Sequence, residues 1–162
     1  MSMHRDATII RRTGPGDVPT IARIWHAGWL DGHVDNVPAD LVRHRSREQF
    51  LNRAEQRVDQ SWVATSDDVV VGFVVVLGDE VQQLYVDRSA RGTGVAAALL
   101  RTAEDEIRAG GHKCAWLAVV AGNRRARAFY ARHGWHDAGP ISYEAETADG
   151  SLAVPSRRYE HH

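Results

Sequence analysis

Apolar positions along the chain change period several times, and each change predicts an element. Residues 7–13, "ATIIRRT", read as a short strand ended by Gly14, Pro15 and Gly16. Val18, Ile21, Ala22, Trp25 and Trp29 then recur at three and four, which predicts an amphipathic helix with Asp17 as its cap and Pro19 tolerated in the first turn. The polar run "DGHVDNVPAD" breaks that helix, and residues 39–57 read as a second one with a weak stripe at Leu41, Phe50 and Leu51. From Ser61 the period shortens to that of strands. "SWVAT", a turn at 66–68, "VVVGFVVVL", a Gly78-Asp79 turn and "EVQQLYV" predict an antiparallel meander whose middle strand is buried on both faces.

The most regular helical stripe follows, through Val95, Ala96, Leu99, Leu100, Ala103 and Ile107, and Gly110-Gly111 ends it. "KCAWLAVV" at 113–120 reads as a buried strand containing Cys114, a small core residue on this reading. Asn123 is placed to cap a short helix reaching His133 and stopped at Gly134. Two more strands, near 135–144 and 153–160, are joined by the turn at 148–150. The order β-α-α-β-β-β-α-β-α-β-β implies an α/β (mixed α+β) fold, a mixed sheet with helices on both faces.

Composition narrows the classes. A chain of 162 residues with 43% hydrophobic composition suits one domain over 1–162. Twenty basic and 21 acidic side chains leave a formal charge of −1, so no global field favours nucleic acid or an anionic membrane. The longest greasy stretch, 69–77, falls far short of a membrane span. A single cysteine allows no internal disulfide and suits a reducing cytoplasm. The histidines at 26, 33 and 44 form no closed ligand set with carboxylates, so no metal is expected.

The chemistry starts at "RSARGTGVAAALL", 88–100, where Gly92 and Gly94 interrupt the opening of a helix. Strand, Gly-x-Gly and helix N-terminus together converge unpaired N–H groups and a helix dipole on one point, a device for anions. Arg91 adds positive charge, and a phosphate is the natural guest. A turn whose glycines only satisfy backbone geometry is the competing reading. A P-loop is excluded by the lack of Gly-Lys-Ser/Thr, and a dinucleotide fold by the meander that precedes the glycines.

"LYVDRSARGTGVAAALL" resembles the acyl-CoA signature of the GNAT superfamily of N-acetyltransferases, Arg/Gln-x-x-Gly-x-Gly/Ala, through Arg91, Gly94 and Ala96. "GNRRARAFYARHGW" is similar to the same family's second motif through Asn123, Ala126, Phe129, Tyr130 and Gly134, with Trp135 in place of the usual Phe. The resemblance implies a largely antiparallel sheet of six to seven strands and acetyl-CoA as co-substrate. It implies that main-chain N–H groups from Arg91 through Gly92, Thr93, Gly94, Val95, Ala96 and Ala97 cradle the pyrophosphate. The strand end Leu84-Tyr85-Val86 would hold the pantetheine arm, with the Leu84 amide facing the thioester carbonyl.

On the same resemblance Tyr130 is the general acid, its alternative role being packing beside Phe129. Glu80 is the candidate base, sharing a face with Gln82, Leu84 and Val86 by alternation, or else a solvated residue beside a turn. Asn123 caps its helix and approaches CoA. Trp29, Asp31 and Asp35 are expected in the loop that walls the amine acceptor, a small molecule or a protein amine. An acyl-CoA-binding module without catalysis and a nucleotide-binding protein are the rival functions, and a homodimer is a possible assembly.

Overall fold

A computed structural model describes residues 8–33, 36–147 and 150–162. Among these described residues, seven strands form one sheet in the order β1-β2-β3-β4-β5-β7-β6. Their ranges are β1 Ile9–Arg12, β2 Ser61–Ser66, β3 Val69–Leu77, β4 Glu80–Val86, β5 Ala115–Val120, β6 His136–Thr147 and β7 Gly150–His161. Helices α1 Val18–His33, α2 Ala39–Arg43 and α3 Arg47–Gln56 pack on one face, and α4 Val95–Ala109 and α5 Arg124–Arg132 on the other. Among the described residues no helix is long and apolar enough to cross a membrane.

The predicted meander is present as β2-β3-β4, each pair antiparallel. Val70 through Val76 are all buried, because both faces of β3 are covered. On one side Val74 and Val76 meet Leu99, Ala103 and Ile107 of α4; on the other Phe73 and Val75 meet Trp25 of α1 and Phe50 of α3. Val95, Leu99, Leu100 and Ile107 are at most 3% exposed, so their burial contributes about 6–10 kcal/mol toward docking α4.

Three sequence expectations change. The helix over 39–57 is two helices, because Ser46 caps α3 by accepting from the Gln49 amide at 3.3 Å; the Ser-x-x-Gln spacing carries that signal. Asp17 ends a short 3-10 turn before α1 and reaches back to the Gly14 amide at 2.8 Å, held by Arg11, instead of capping α1. α1 itself continues to His33, so Trp29, Asp31 and His33 are helical positions and not a loop.

The sheet is interrupted at one place that matters. β4 and β5 are its only parallel neighbours among the described strands, and they pair at a single position, Glu80 with Trp116, with the Trp116 amide donating to the Asp79 carbonyl at 3.0 Å. Beyond it the two strands diverge. The far edge of β5 is fully engaged by β7 from Ala115 to Val120, so an opening remains between β4 and β5.

Candidate functional site

Backbone geometry determines what the opening offers. The Asp87 amide donates to the Val71 carbonyl at 2.8 Å, which makes 71 and 87 a hydrogen-bonded pair of the antiparallel ladder. Such pairs alternate, so Tyr85 and Gln83 also bond to β3, while the N–H and C=O groups of Leu84 and Val86 point the other way, into the opening. Their side chains pack toward α4, and that of Tyr85 toward α1, stacked on Phe73 at 5.9 Å.

The chain after β4 turns through residues 88–94 into α4. Gly92 and Gly94 have φ of +76° and +87°, and a Cβ at either would meet nothing within 4 Å. The glycines are therefore required by left-handed backbone, and the space over them is open. The first bond of α4 runs from the Ala98 amide to the Gly94 carbonyl at 3.0 Å, leaving the first-turn amides of Val95, Ala96 and Ala97 without an acceptor in the helix. The Arg91 amide is different: it donates to the Arg88 carbonyl at 3.3 Å and is not part of the free set.

A groove of about 310 Å³ joins these features. Its lining includes Leu84, Tyr85, Val86, Arg91, Gly94, Val95, Ala96, Asn123 and Tyr130, while Gly92, Thr93 and Ala97 lie outside it. The Thr93 hydroxyl bonds to the Ala90 carbonyl and fixes the turn. Asn123 caps α5 by accepting from the Ala126 amide at 3.2 Å. Arg125, exposed at the start of α5, adds positive charge to the groove and was not anticipated.

The opposite wall comes from Gly28 and Gly32, one turn apart on α1. A Cβ on Gly28 would lie 2.4 Å from the Tyr85 ring and one on Gly32 2.9 Å from Asn123 Nδ2, so only glycine lets α1 approach so closely. The Gly-x-x-x-Gly spacing in the first helix was the sequence signal for this wall.

Tyr130 projects from α5 between this groove and a smaller cavity beneath it, with Phe129 edge-on at 5.3 Å. Its hydroxyl has no hydrogen bond to protein among the described residues, and burial pushes its pKa up, so it keeps its proton.

Glu80 is placed differently from the alternation argument. The register advances two residues on β4, from Gln83 to Val81, against one on β3, from Val75 to Val76, which marks a bulge at Gln82. Parity reverses there. Val81 joins the core under α4, so Glu80 faces the α1–α3 side and not the side of Leu84 and Val86. Its carboxylate accepts from the Tyr143 hydroxyl at 2.5 Å, and burial raises its pKa, partly offset by that hydrogen bond.

The acceptor expectations also divide. Trp29, 4% exposed, does line a second cavity on the α1–α3 side, together with His33, Arg45, Arg53, Gln82, Gln83 and Tyr143. Asp31 does not. It clamps the glycine turn to α1 through Arg88 at 2.6 Å and Arg91 at 3.0 Å, and the Arg88 bond holds its carboxyl below the ordinary range. Its charge is already met by two guanidinium groups, and it lines the first groove instead of the second cavity. Asp35 lies outside the described residues. Tyr143, Arg45 and Arg53 were not anticipated, since each reaches the cavity from an element read only as scaffold.

Away from these cavities, Cys114 is half-buried in the turn before β5 and not a core residue. Cys114, Glu160 and His162 bring donor atoms within 4.8 Å of one another, with Glu160 already bonded to Arg158 at 2.8 Å.

Residues 23–135 match the model of the acetyltransferase (GNAT) family, well over half of the chain. The chain belongs to that family. The GNAT fold is equally evident in solved structures. A GCN5-related N-acetyltransferase of Rhodopseudomonas palustris superposes with a TM-score of 0.71 at 21% identity, covering 98% of each chain. The PaiA N-acetyltransferase of Thermoplasma acidophilum, solved with coenzyme A, gives 0.65 at 18% identity over 95% of this chain and 98% of its own. The ribosomal-protein-S18-alanine N-acetyltransferase of Escherichia coli gives 0.64 at 22% identity, covering 95% and 92%. No curated protein sequence matches the chain. Family and fold together make this GNAT chain an acetyltransferase, with the two sequence motifs lying on the groove just described.

Proposed function

We propose that the chain transfers an acetyl group from acetyl-CoA to an amine by direct attack within a ternary complex, in the cytoplasm. The observation that carries this reading is the continuity of one groove from the free amides of α4, past the open edge of β4, to Tyr130. Open space above left-handed glycines and unpaired first-turn amides fit a pyrophosphate. The outward N–H and C=O groups of Leu84 and Val86 fit an amide-containing arm, as an added strand fits a sheet edge. The relative solved with coenzyme A supports the same ligand class.

Acetyl-CoA supplies a thioester, whose C–S bond breaks as the C–N bond forms. The Leu84 amide stabilises negative charge developing on the carbonyl oxygen. Tyr130, neutral and without a competing hydrogen bond, gives the departing sulfur its proton. An amine with a pKa near 10 must lose a proton before or during attack. Glu80 accepts it at one remove, through the Tyr143 hydroxyl that lines the second cavity. A cap at Asn123 holds α5, and hence Tyr130, against the groove.

Calorimetric titration with acetyl-CoA and a free-thiol assay over a panel of amines test the reading. Binding with turnover on at least one amine is expected. Binding without turnover on any acceptor would instead assign an acyl-CoA-binding module, and preference for ATP or NAD over CoA would remove the coenzyme assignment altogether.

A further inference from the structure

The second cavity, about 100 Å³ on the α1–α3 side, contains two arginines that no carboxylate hydrogen-bonds among the described residues, the carboxylate charge acting on both being that of Glu146. Arg45, in the turn between α2 and α3, is 5% exposed, and its Nε and Nη1 are buried without a hydrogen-bond partner. Arg53 of α3 lies beside it, its guanidinium 4.4 Å from the Trp25 ring and not paired with a carboxylate among the described residues. Burial lowers both pKa values, that of Arg53 to about 10, so both remain cationic at neutral pH. The one acid on the cavity wall already bonded to an arginine, Glu146, is held by Arg57 at 2.9 Å and is half exposed.

A buried guanidinium with orphaned donors is destabilising unless an anion meets it. Its planar fork matches a carboxylate. Two such groups side by side repel one another, which an anion between them would relieve. The remaining wall is mixed, Val37, Leu41, Val120 and Val154 alternating with Gln82, Gln83, Tyr143 and Ser156, and Glu144 and Glu146 stand at its β6 side. The cavity also continues toward the acetyl-transfer groove: the small cavity lined by Leu84 and Tyr130 shares His33, Gln82, Gln83, Tyr85 and Ala118 with it.

We propose that the acceptor is a small amino acid, its carboxylate held by Arg45 and Arg53 and its amine directed through the β4–β5 opening toward Leu84. This rests on the acetyl-transfer reading and names its substrate class. The carboxylate is a handle and is unchanged by the reaction. The amine nitrogen gains the acetyl carbon, loses a proton toward Tyr143 and Glu80, and free CoA thiol leaves. Arg45 and Arg53 thereby put a carboxylate-binding fork on the acceptor wall, where the sequence had offered only the acids Asp31 and Asp35.

The test measures thiol release with acetyl-CoA for L-alanine, L-valine, L-leucine, L-methionine and L-phenylalanine, each beside its carboxamide, on the wild type, Arg45→Met and Arg53→Lys. At least one acid is expected to exceed its amide about 100-fold in kcat/KM. Arg45→Met should collapse that ratio to near one while keeping acetyl-CoA affinity and a melting temperature no lower than wild type, which a purely structural arginine would not do. Arg53→Lys, the milder change, should reduce the ratio and serves if Arg45→Met does not fold. Amides used as well as acids, no acid turned over, or a ratio unchanged in both variants would overturn the proposal. Calorimetry with N-acetyl-L-leucine and its amide, in the absence of acetyl-CoA, separates the two levels. Failure to bind acetyl-CoA sinks the acetyl-transfer reading alone, whereas equal affinity for the N-acetyl acid and its amide sinks the carboxylate site alone.

Discussion

The two cavities on either side of the β4–β5 opening are built from different materials. On the proposed coenzyme side, what the chain offers is main chain: left-handed Gly92 and Gly94, the first-turn amides of α4 and the outward groups of Leu84 and Val86. On the proposed acceptor side it is side chain: Arg45, Arg53, Tyr143 and Trp29, drawn from α1, α3, β6 and the turn before α3. A backbone site depends on local conformation and so on a short run of sequence. A side-chain site depends on which distant elements meet, and can change its ligand without changing the fold.

The sharpest way to break this contrast is at Gly94. Gly94→Glu puts a side chain at φ +87°, into the open space of the groove, and adds a negative charge facing free amides. The backbone strain should cost about 1–2 kcal/mol of stability, and the bulk and repulsion in the groove should weaken acetyl-CoA binding by about tenfold or more, read by calorimetry. An affinity unchanged from wild type would show that the coenzyme does not use this turn.

Tyr130→Phe comes next. It removes a hydroxyl that makes no hydrogen bond among the described residues, so folding and acetyl-CoA affinity should hold while kcat falls about 100-fold. Equal kcat in the variant would reduce Tyr130 to packing against Phe129.

The geometry of the first groove was legible because its signals are local. Glycines at a helix start, Asn123 three residues before the amide it caps, and an all-apolar β3 each declare themselves within a few residues. The failures share the opposite cause. Glu80 was assigned to the wrong face because the bulge at Gln82 arises from pairing with β3, and one extra residue reverses every side chain beyond it. Asp31 was read as a free acid because Arg88 and Arg91, its partners, lie far along the chain. Arg45 carries no sequence signal at all: an arginine in a polar turn reads as solvated until Leu41 and Phe50 are seen to seal the same region. By contrast, Gly28 and Gly32 carried a readable signal, a glycine pair one turn apart.

A smaller effect tests the acceptor side by pH. His33 stacks on Trp29 at 5.4 Å, and burial lowers its pKa from 6.5 to about 4, with Arg45 and Arg53 pushing in the same direction. The unfolded chain therefore binds the proton more readily than the folded one between these values. Stability should be full above about pH 6.5, fall as pH drops toward 4, and lose no more from this group below that. For a partly shielded ring the loss is about 2 kcal/mol. Denaturant midpoints for wild type and His33→Gln should converge in slope if this holds, the variant losing the dependence in that window. An identical pH profile would place the titration elsewhere.

The smallest effect separates two roles held by one residue. Asn123 caps α5 and also faces the coenzyme groove, with its Nδ2 turned toward Gly32. Asn123→Ala should cost about 1 kcal/mol of stability, the usual worth of an N-cap. Asn123→Asp keeps an oxygen for the Ala126 amide and favours the helix dipole, so stability should stay near wild type. It also places a carboxylate on the groove wall, which should weaken acetyl-CoA binding by roughly fivefold at low salt and less at high salt. A loss of stability without a change in affinity in the aspartate variant would mean that the groove ligand never approaches Asn123. The coenzyme side would then be built from main chain alone.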